Sequence, residues 1–147
     1  MTSGRVAPAL ARDSGWRRPT TNVRARELYL NSAGQLSFAV RKPESDTVKP
    51  SIAETPGSLA DSKWHHVVAV QSGSALLLYI DGLEQAAAAT TATLTPSNGR
   101  WWVGGRTPAK LPERLTSGFS GQIDELSVFA TALTSAQVQQ HYQLGVQ

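Results

Sequence analysis

The sequence predicts an all-β fold, an antiparallel two-sheet β-sandwich that ends in a short helix. From residue 27, short runs that alternate apolar and polar residues follow one another at regular spacing, with turn residues between them. This pattern is typical of a sandwich. After the last run the period changes, and a helix signal begins at Thr134. A chain of 147 residues is long enough for one domain with a buried core.

The first predicted hairpin lies in ELYLNSAGQLSFAV, where apolar residues occupy alternate positions of two strands. Leu28 and Leu30 belong to the first strand, and Leu36, Phe38 and Val40 belong to the second. The polar stretch NSAG between them predicts a turn. Downstream, SIAET predicts a short strand and PGSLADS predicts a loop.

The strongest strand signal is KWHHVVAVQ, followed by ALLLYI. Alternation in the first run places Trp64 and His66 on one face, as a core aromatic residue and a hydrogen-bonded partner, and His65 on the other. Asp81-Gly82 is the strongest hairpin signal in the chain, because a type I′ turn needs positive φ at both central residues. The residues of the second run that share a face are Leu76, Leu78 and Ile80.

Three further segments complete the predicted sheets. LEQAAAATTATLT contains four alanines that favour a helix, but the Asp-Gly turn before it and the threonine-rich run after it favour a strand. RWWVGG predicts a short strand ended by two glycines. Residues 122–129 predict the closing strand, in which Asp124 shares a face with Leu126 and Val128, both expected in the core.

The predicted helix follows the closing strand within a few residues. Thr134 is a suitable N-cap, and Gln137 three positions later completes a capping box. Leu133 and Val138 are spaced as a hydrophobic staple, and Gly145 suits the C-terminal stop. We therefore expect a short helix that covers one end of a sheet.

The net charge of +3 is concentrated near the N-terminus. Residues 1–50 contain nine Lys/Arg and four Asp/Glu, a balance of +5, whereas residues 51–147 contain five and seven, a balance of −2. The arginines before residue 27 lack regular spacing and have only Trp16 for base stacking, which favours a solvated, weakly ordered segment over a nucleic-acid-binding arm. The opening residues do not form a good signal peptide, no run reaches the length of a membrane span, and the absence of cysteine excludes disulfides.

The order of several motifs resembles one known group of proteins. These motifs are WHHVVAV, LYIDG, a strand ending in VGG, and FSGQIDELSVFATALT. Together, over about residues 27–145, they resemble the laminin-G-like jelly-roll modules of the concanavalin A-like lectin/glucanase folds. The resemblance implies a jelly-roll sandwich and an extracellular location as part of a larger protein.

The N-terminal region departs from that resemblance. Such modules carry further strands before the first hairpin, including one that pairs near the closing strand, whereas this chain has an arginine-rich segment there. We therefore predict a weakly ordered segment over residues 1–26 and an N-terminally shortened sandwich over residues 27–147. Uncovered sheet edges would favour self-association.

A catalytic site is not expected. Glycoside hydrolysis needs two carboxyl groups at a set separation, and glucanases of this group place them at alternate positions of one strand. The corresponding positions are Gln122, Asp124 and Leu126, which supply one carboxylate. Asp124 and Glu125 are adjacent, so in a strand they point to opposite faces.

Asp124 has two interpretations. A carboxylate on a core-facing row must be paired or hydrogen-bonded, so Asp124 can accept backbone N–H bonds that fix the end of the sheet. The resemblance implies the other role, since related modules use an acidic residue here for structural Ca²⁺. Calcium takes six to eight oxygen ligands, many from backbone carbonyls.

The candidate ligand-binding residues surround two adjacent tryptophans. Trp101 and Trp102 face opposite ways in a strand, so one lies in the core and the other is a platform for a sugar ring or a protein side chain. Tyr79, on the non-core face of its strand, and Arg106, in the following loop, are expected to join it. The resemblance implies a non-catalytic module that binds a polysaccharide or glycoprotein. The alternative is a structural or protein–protein interaction module without affinity for sugar.

Overall fold

A computed structural model of the protein describes residues 2–3, 26–41, 49–92, 103–104 and 119–145. This part of the chain is mostly β-structure, as predicted, with one short helix. In chain order, the elements are β1 (Thr2–Ser3), β2 (Arg26–Leu30), β3 (Gln35–Val40), β4 (Ser51–Ser58), β5 (Val67–Ser72), β6 (Ala75–Ile80), β7 (Leu83–Ala89), β8 (Gly121–Gln122) and α1 (Ser135–Gly145).

Six of the strands form two antiparallel sheets of consecutive strands, in the orders β2-β3-β4 and β5-β6-β7. In the first sheet, Leu28 pairs with Phe38, as the period-two pattern predicts for that hairpin. In the second, Leu78 lies between Ala69 on β5 and Ala86 on β7. The alanine-rich segment is therefore a strand, which confirms the choice of strand over helix.

Turn chemistry defines both predicted hairpin connections. The side-chain Oδ1 of Asn31 accepts hydrogen bonds from the backbone N–H groups of Ala33 and Gln35 at 2.9 and 3.0 Å. In the β6–β7 turn, Asp81 and Gly82 have φ values of 53° and 80°, as a type I′ turn requires. These turns fix the strand register, so both hairpin predictions are confirmed.

The main hydrophobic core combines inward-facing residues of both sheets. Phe38 is 1% exposed, and Leu76 and Leu78 are fully buried. Burying side chains of this size stabilises the fold by about 1.5–3 kcal/mol each. Alternation continues through β5, where Val67 and Ala69 face this core. The strongly buried members of the cluster are Leu36, Phe38, Val40, Ala53, Val67, Ala69, Leu76, Leu78, Ile80 and Ala92.

The helix covers the outer face of the β5-β6-β7 sheet. Val138 is fully buried and packs with Val68, Val70 and Tyr79, so the helix covers a sheet face rather than only a sheet end. Leu133 packs against the same group, which agrees with the predicted staple.

The predicted capping box is present at the start of α1. The N–H of Thr134 donates to Gln137 Oε1 at 2.9 Å, and the N–H of Gln137 donates to Thr134 Oγ1 at 3.3 Å. These reciprocal bonds satisfy donors that the helix itself leaves unpaired.

β4 is longer than predicted and includes Pro56, which the sequence pattern assigns to a loop. A register shift lies opposite this part of the strand, where Thr55 Oγ1 accepts the N–H of Leu36 at 3.0 Å. Proline is tolerated because β4 is at the edge of its sheet.

The closing strand was predicted wrongly. Only Gly121–Gln122 is a strand, and residues 123–129 lie outside regular secondary structure. Glu125 has a φ of 52°, which interrupts an extended conformation. Leu126 and Val128, expected in the core, are 42% and 41% exposed.

Two further sequence predictions differ from the structure. Trp64, expected in the core, is 43% exposed, because β5 begins only at Val67 and strand alternation does not extend to Trp64. At the N-terminus, Thr2–Ser3 pairs in parallel with Gly121–Gln122, so an N-terminal strand does lie beside the start of the closing segment. Of the predicted strand RWWVGG, Val103 and Gly104 form a bend, and its other residues lie outside the described part of the chain.

Candidate functional site

The predicted ligand-binding residues fall partly outside the described residues. The described residues do not include Trp101, Trp102 or Arg106. Tyr79 lies on the non-core face of β6, as predicted, but it is only 3% exposed because the helix covers that face. Burial and a hydrogen bond with Glu84 raise the pKa of the Tyr79 hydroxyl. This placement makes Tyr79 a packing residue beneath the helix rather than an open platform for a ligand.

Asp124, the predicted calcium ligand, is exposed in the segment that follows β8. Its Oδ1 accepts a hydrogen bond from the N–H of Glu125 at 2.9 Å. This is a backbone N–H bond, but it comes from the next residue and not from a neighbouring loop. Among the residues that the structure describes, no group of three or more His, Cys, Asp or Glu side chains is arranged to hold a metal ion.

A histidine lies between two carboxylates in the described part of the chain. His65 Nδ1 lies 2.9 Å from Asp81 Oδ2, and His65 Nε2 lies 3.1 Å from Asp61 Oδ1. Asp61 and His65 belong to the connection between the two sheets, whereas Asp81 belongs to the β6–β7 turn. We call these three residues the His65 cluster.

Backbone hydrogen bonds hold the carboxylates of the His65 cluster in place. Asp81 Oδ1 accepts the N–H of His66 at 2.9 Å, and Asp61 Oδ1 accepts the N–H of Lys63 at 3.0 Å. Burial of the ring would lower the pKa of His65, but its hydrogen bonds to Asp81 and Asp61 outweigh burial, and the pKa is raised. The N–H of Lys63 and the His65 ring lower the pKa of the Asp61 carboxyl.

The adjacent histidine has the opposite electrostatic environment. Burial, and the nearby His141 on the helix, lower the pKa of His66 against a smaller opposing effect of Asp81. Its ring centroid lies 5.9 Å from that of Tyr142, and its buried Nδ1 has no hydrogen-bond partner among the described residues. The pKa values of two consecutive histidines are therefore shifted in opposite directions, because their rings face different surroundings.

A row of polar side chains crosses the β2-β3-β4 sheet on the face opposite the core. Glu54 Oε2 accepts hydrogen bonds from Ser37 Oγ at 2.6 Å and from Asn31 Nδ2 at 3.0 Å. Asn31 Nδ2 also donates to Gln35 Oε1 at 3.1 Å. Tyr29 is the cross-strand neighbour of Ser37, so an aromatic ring lies beside this row. Planar amides and a carboxylate of this kind can hydrogen-bond hydroxyl groups.

Sequence reasoning missed both the His65 cluster and the polar row. The His65–Asp81 contact spans 16 residues and the Asn31–Glu54 contact spans 23, so each depends on strand pairing that brings distant segments together. One local signal was available, because Asp61 and His65 are four residues apart.

Within the described residues, no helix is long and apolar enough to cross a membrane.

Comparison with known proteins gives one family match and a solved structure with low similarity. The sequence model of a laminin G family, described as the concanavalin A-like lectin/glucanases superfamily, matches residues 5–139. A 2.1 Å crystal structure of residues 221–444 of an S-layer domain-containing protein from Clostridium thermocellum ATCC 27405 is 18% identical, with a TM-score of 0.47. That alignment covers 88% of this chain and 67% of the other. No curated protein matches the chain.

Proposed function

The chain belongs to the concanavalin A-like lectin/glucanases superfamily, and from this premise we propose that it is a non-catalytic module that binds a polysaccharide or glycoprotein. Membership of the family is the observation that carries the proposal. The family match includes residues 5–26, which the motif-based resemblance over residues 27–145 left out. We further propose that the module acts outside the cell as an accessory part of a larger protein.

Two features support a binding role without hydrolysis. The positions that would carry paired carboxylates in a glucanase hold Gln122, Asp124 and Leu126, and Asp124 lies in an exposed, irregular segment. Such a segment does not fix two carboxyl groups across a glycosidic bond, whose separation must be held within a narrow range.

The proposed ligand site consists of Trp101 and Trp102, together with Arg106, which follows them in the sequence. An indole ring offers a flat apolar surface for the face of a sugar ring, and a guanidinium donates hydrogen bonds to hydroxyl groups. The polar row is a second candidate surface, in which the carboxylate of exposed Glu54 can accept further hydrogen bonds from hydroxyl groups, while the Asn31 amide is already bonded to Glu54, Gln35 and the N–H of Ala33.

Binding to polysaccharides tests this proposal. The purified chain would be run through native gels containing a panel of soluble polysaccharides, and its retardation compared with that of Trp101→Ala, Trp102→Ala and Trp64→Ala. We expect retardation in at least one gel and its loss in one of the first two variants. Trp64→Ala is the matched control, because Trp64 is exposed but outside the proposed site. Equal retardation of the wild type and both site variants would refute the assigned site.

The second candidate is a module for protein–protein interaction or self-association. One observation favours it, since Leu126 and Val128 are 42% and 41% exposed in a segment of the chain directly after the short strand β8. Exposed apolar residues in such a segment favour pairing with another chain. Light scattering of the wild type and of Leu126→Lys would show an oligomer that the substitution dissociates.

Calcium remains part of the proposal as a structural ion at Asp124. Its exposed carboxylate can supply one or two oxygen ligands, so the remaining ligands would come from backbone carbonyls and water.

A further inference from the structure

The connection between the two sheets, residues 59–66, is attached to the second sheet by the ring of His65 and by the backbone of His66, whose N–H and C=O both bond Asp81. Asp61 and His65 lie on this connection, and Asp81 lies in the turn between β6 and β7. Only one ring links them, with 2.9 Å from Nδ1 to Asp81 and 3.1 Å from Nε2 to Asp61. The side chain of His65 is 15% exposed, so water has limited access to replace these contacts.

The two contacts can both be hydrogen bonds only in one protonation state. A neutral imidazole has one N–H and one lone pair, whereas an ionised carboxylate is only an acceptor. With a neutral ring, one nitrogen lone pair would face a carboxylate oxygen at hydrogen-bonding distance, which is repulsive. An imidazolium donates from both nitrogens, and bonds between charged partners are about twice as strong as neutral ones.

From this geometry we propose that His65 is a pH-operated clip that ties the Asp61 part of the 59–66 connection to the Asp81–Gly82 turn when protonated and releases that part when neutral, while the His66 backbone stays bonded to Asp81. The raised pKa of His65 agrees with this assignment.

The two carboxylates beside the clip favour the protonated ring, and the other charged or titratable groups near it are Lys63 and His66. Asp61 and Asp81 supply the negative charges, and Lys63 lies on the solvent side, with its Nζ 3.6 Å from Asp61 Oδ2. His66 is next in sequence, but its ring lies near Tyr142 and is affected by His141, both on the helix.

The sign of the pH effect follows from the raised pKa. Because the folded-state pKa of His65 exceeds its unfolded value, the stabilisation is fully present below about pH 6.5 and is lost as the pH rises through the folded-state pKa. The pKa of Asp61 is lowered, so its contribution is present above its ordinary value of 3.8 and is lost as the pH falls through the folded-state pKa.

Nitrogen NMR of the three histidine rings tests the proposal directly in the 147-residue chain. We expect His65 to titrate above its ordinary value of 6.5, while His66 titrates below it. In Asp61→Asn, which removes one charged acceptor, the titration of His65 should move to lower pH. A His65 ring that titrates at or below the ordinary value in the wild type would overturn the proposal.

Amide hydrogen exchange tests release of the connection. The protection factor of the Lys63 N–H, which bonds to Asp61, should fall several-fold in the wild type as the pH rises through the His65 titration. The His66 N–H, which bonds to Asp81 without the ring, is the internal control and should keep its protection. The Lys63 value should not change over that range in His65→Gln, whereas exposed His141→Gln should behave like the wild type. A constant Lys63 value in the wild type would overturn the proposal even if the ring titrates as expected, and if His65→Gln does not fold, the Asp61→Asn comparison decides the same question.

Discussion

Leu78 and Leu83 provide a matched comparison at the scale of single residues. Both belong to the β5-β6-β7 sheet, but Leu78 is fully buried and Leu83 is 61% exposed. Leu78→Ala leaves a cavity in the main core, so we expect it to lower the free energy of unfolding by about 2–5 kcal/mol. Leu83→Ala should change it by less than about 0.5 kcal/mol.

Urea unfolding of the two variants measures this difference. A cost for Leu83→Ala as large as that for Leu78→Ala would show that Leu83 is buried in solution. That result would contradict a main core formed by the inward-facing residues of the two sheets.

Gly82 and Gly73 separate a backbone effect from a side-chain contact. Both have positive φ, 80° and 55°, so alanine at either position is strained by about 1–2 kcal/mol. A Cβ at Gly82 would lie 3.0 Å from Tyr142 Cδ1, whereas a Cβ at Gly73 would have nothing within 4 Å. We therefore expect Gly82→Ala to destabilise the protein more than Gly73→Ala in thermal unfolding. Equal effects would mean that Tyr142 on the helix does not hinder a side chain at position 82.

Calcium binding at Asp124 is a prediction about one carboxylate. If the ion binds only the folded state, saturating calcium at one hundred times its dissociation constant raises the free energy of unfolding by about 2.7 kcal/mol. We expect a higher melting temperature in calcium than in EDTA for the wild type, and no such difference for Asp124→Asn. If the melting temperature of the wild type is the same in calcium and in EDTA, Asp124 acts only as a hydrogen-bond acceptor.

At the scale of elements, the helix depends on its cap. Thr134 and Gln137 satisfy each other's backbone N–H groups, so Thr134→Ala should lower the free energy of unfolding by about 1 kcal/mol. Thr131→Ala, an exposed threonine upstream of the helix, is the control and should cost less than about 0.5 kcal/mol. Chemical denaturation measures both, and a similar small effect for the two would show that the cap does not contribute.

Elements with local determinants were predicted correctly. The Asn31 turn, the Asp81-Gly82 turn and the Thr134 cap all depend on residues a few positions apart, whose chemistry can be read from the sequence. The segment after Gln122 shows the limit of such prediction. Its apolar residues fit a strand, but strand preference depends on pairing and packing with partners that are distant in sequence.

The candidate sites show the same difference between features set by nearby residues and features set by residues distant in sequence. The predicted ligand residues depended on face assignment by alternation, which correctly placed Tyr79 on the non-core side of its strand but did not predict that the helix covers it. Alternation wrongly predicted that Trp64 is buried in the core, because that residue precedes the strand. The His65 cluster joins two segments that meet only once the second sheet has formed, so no spacing in the sequence identified its partner Asp81.

At the scale of the whole molecule, two sheets and a helix form a scaffold of a superfamily that includes both lectins and glucanases, and the role that we propose for it is recognition of carbohydrate without hydrolysis. A module of this kind should be retained by a glycan and should leave that glycan intact. The alternative module would be retained by the protein part of a glycoprotein, so removal of the glycan separates the two.

The most direct test is binding of the purified chain to an immobilised panel of polysaccharides and glycoproteins, each glycoprotein presented before and after enzymatic deglycosylation. We predict retention on at least one polysaccharide, or retention on a glycoprotein that is lost on deglycosylation, with no release of reducing sugar. Retention that survives deglycosylation, with no binding to any polysaccharide, would contradict a carbohydrate-binding function and support the protein–protein interaction module.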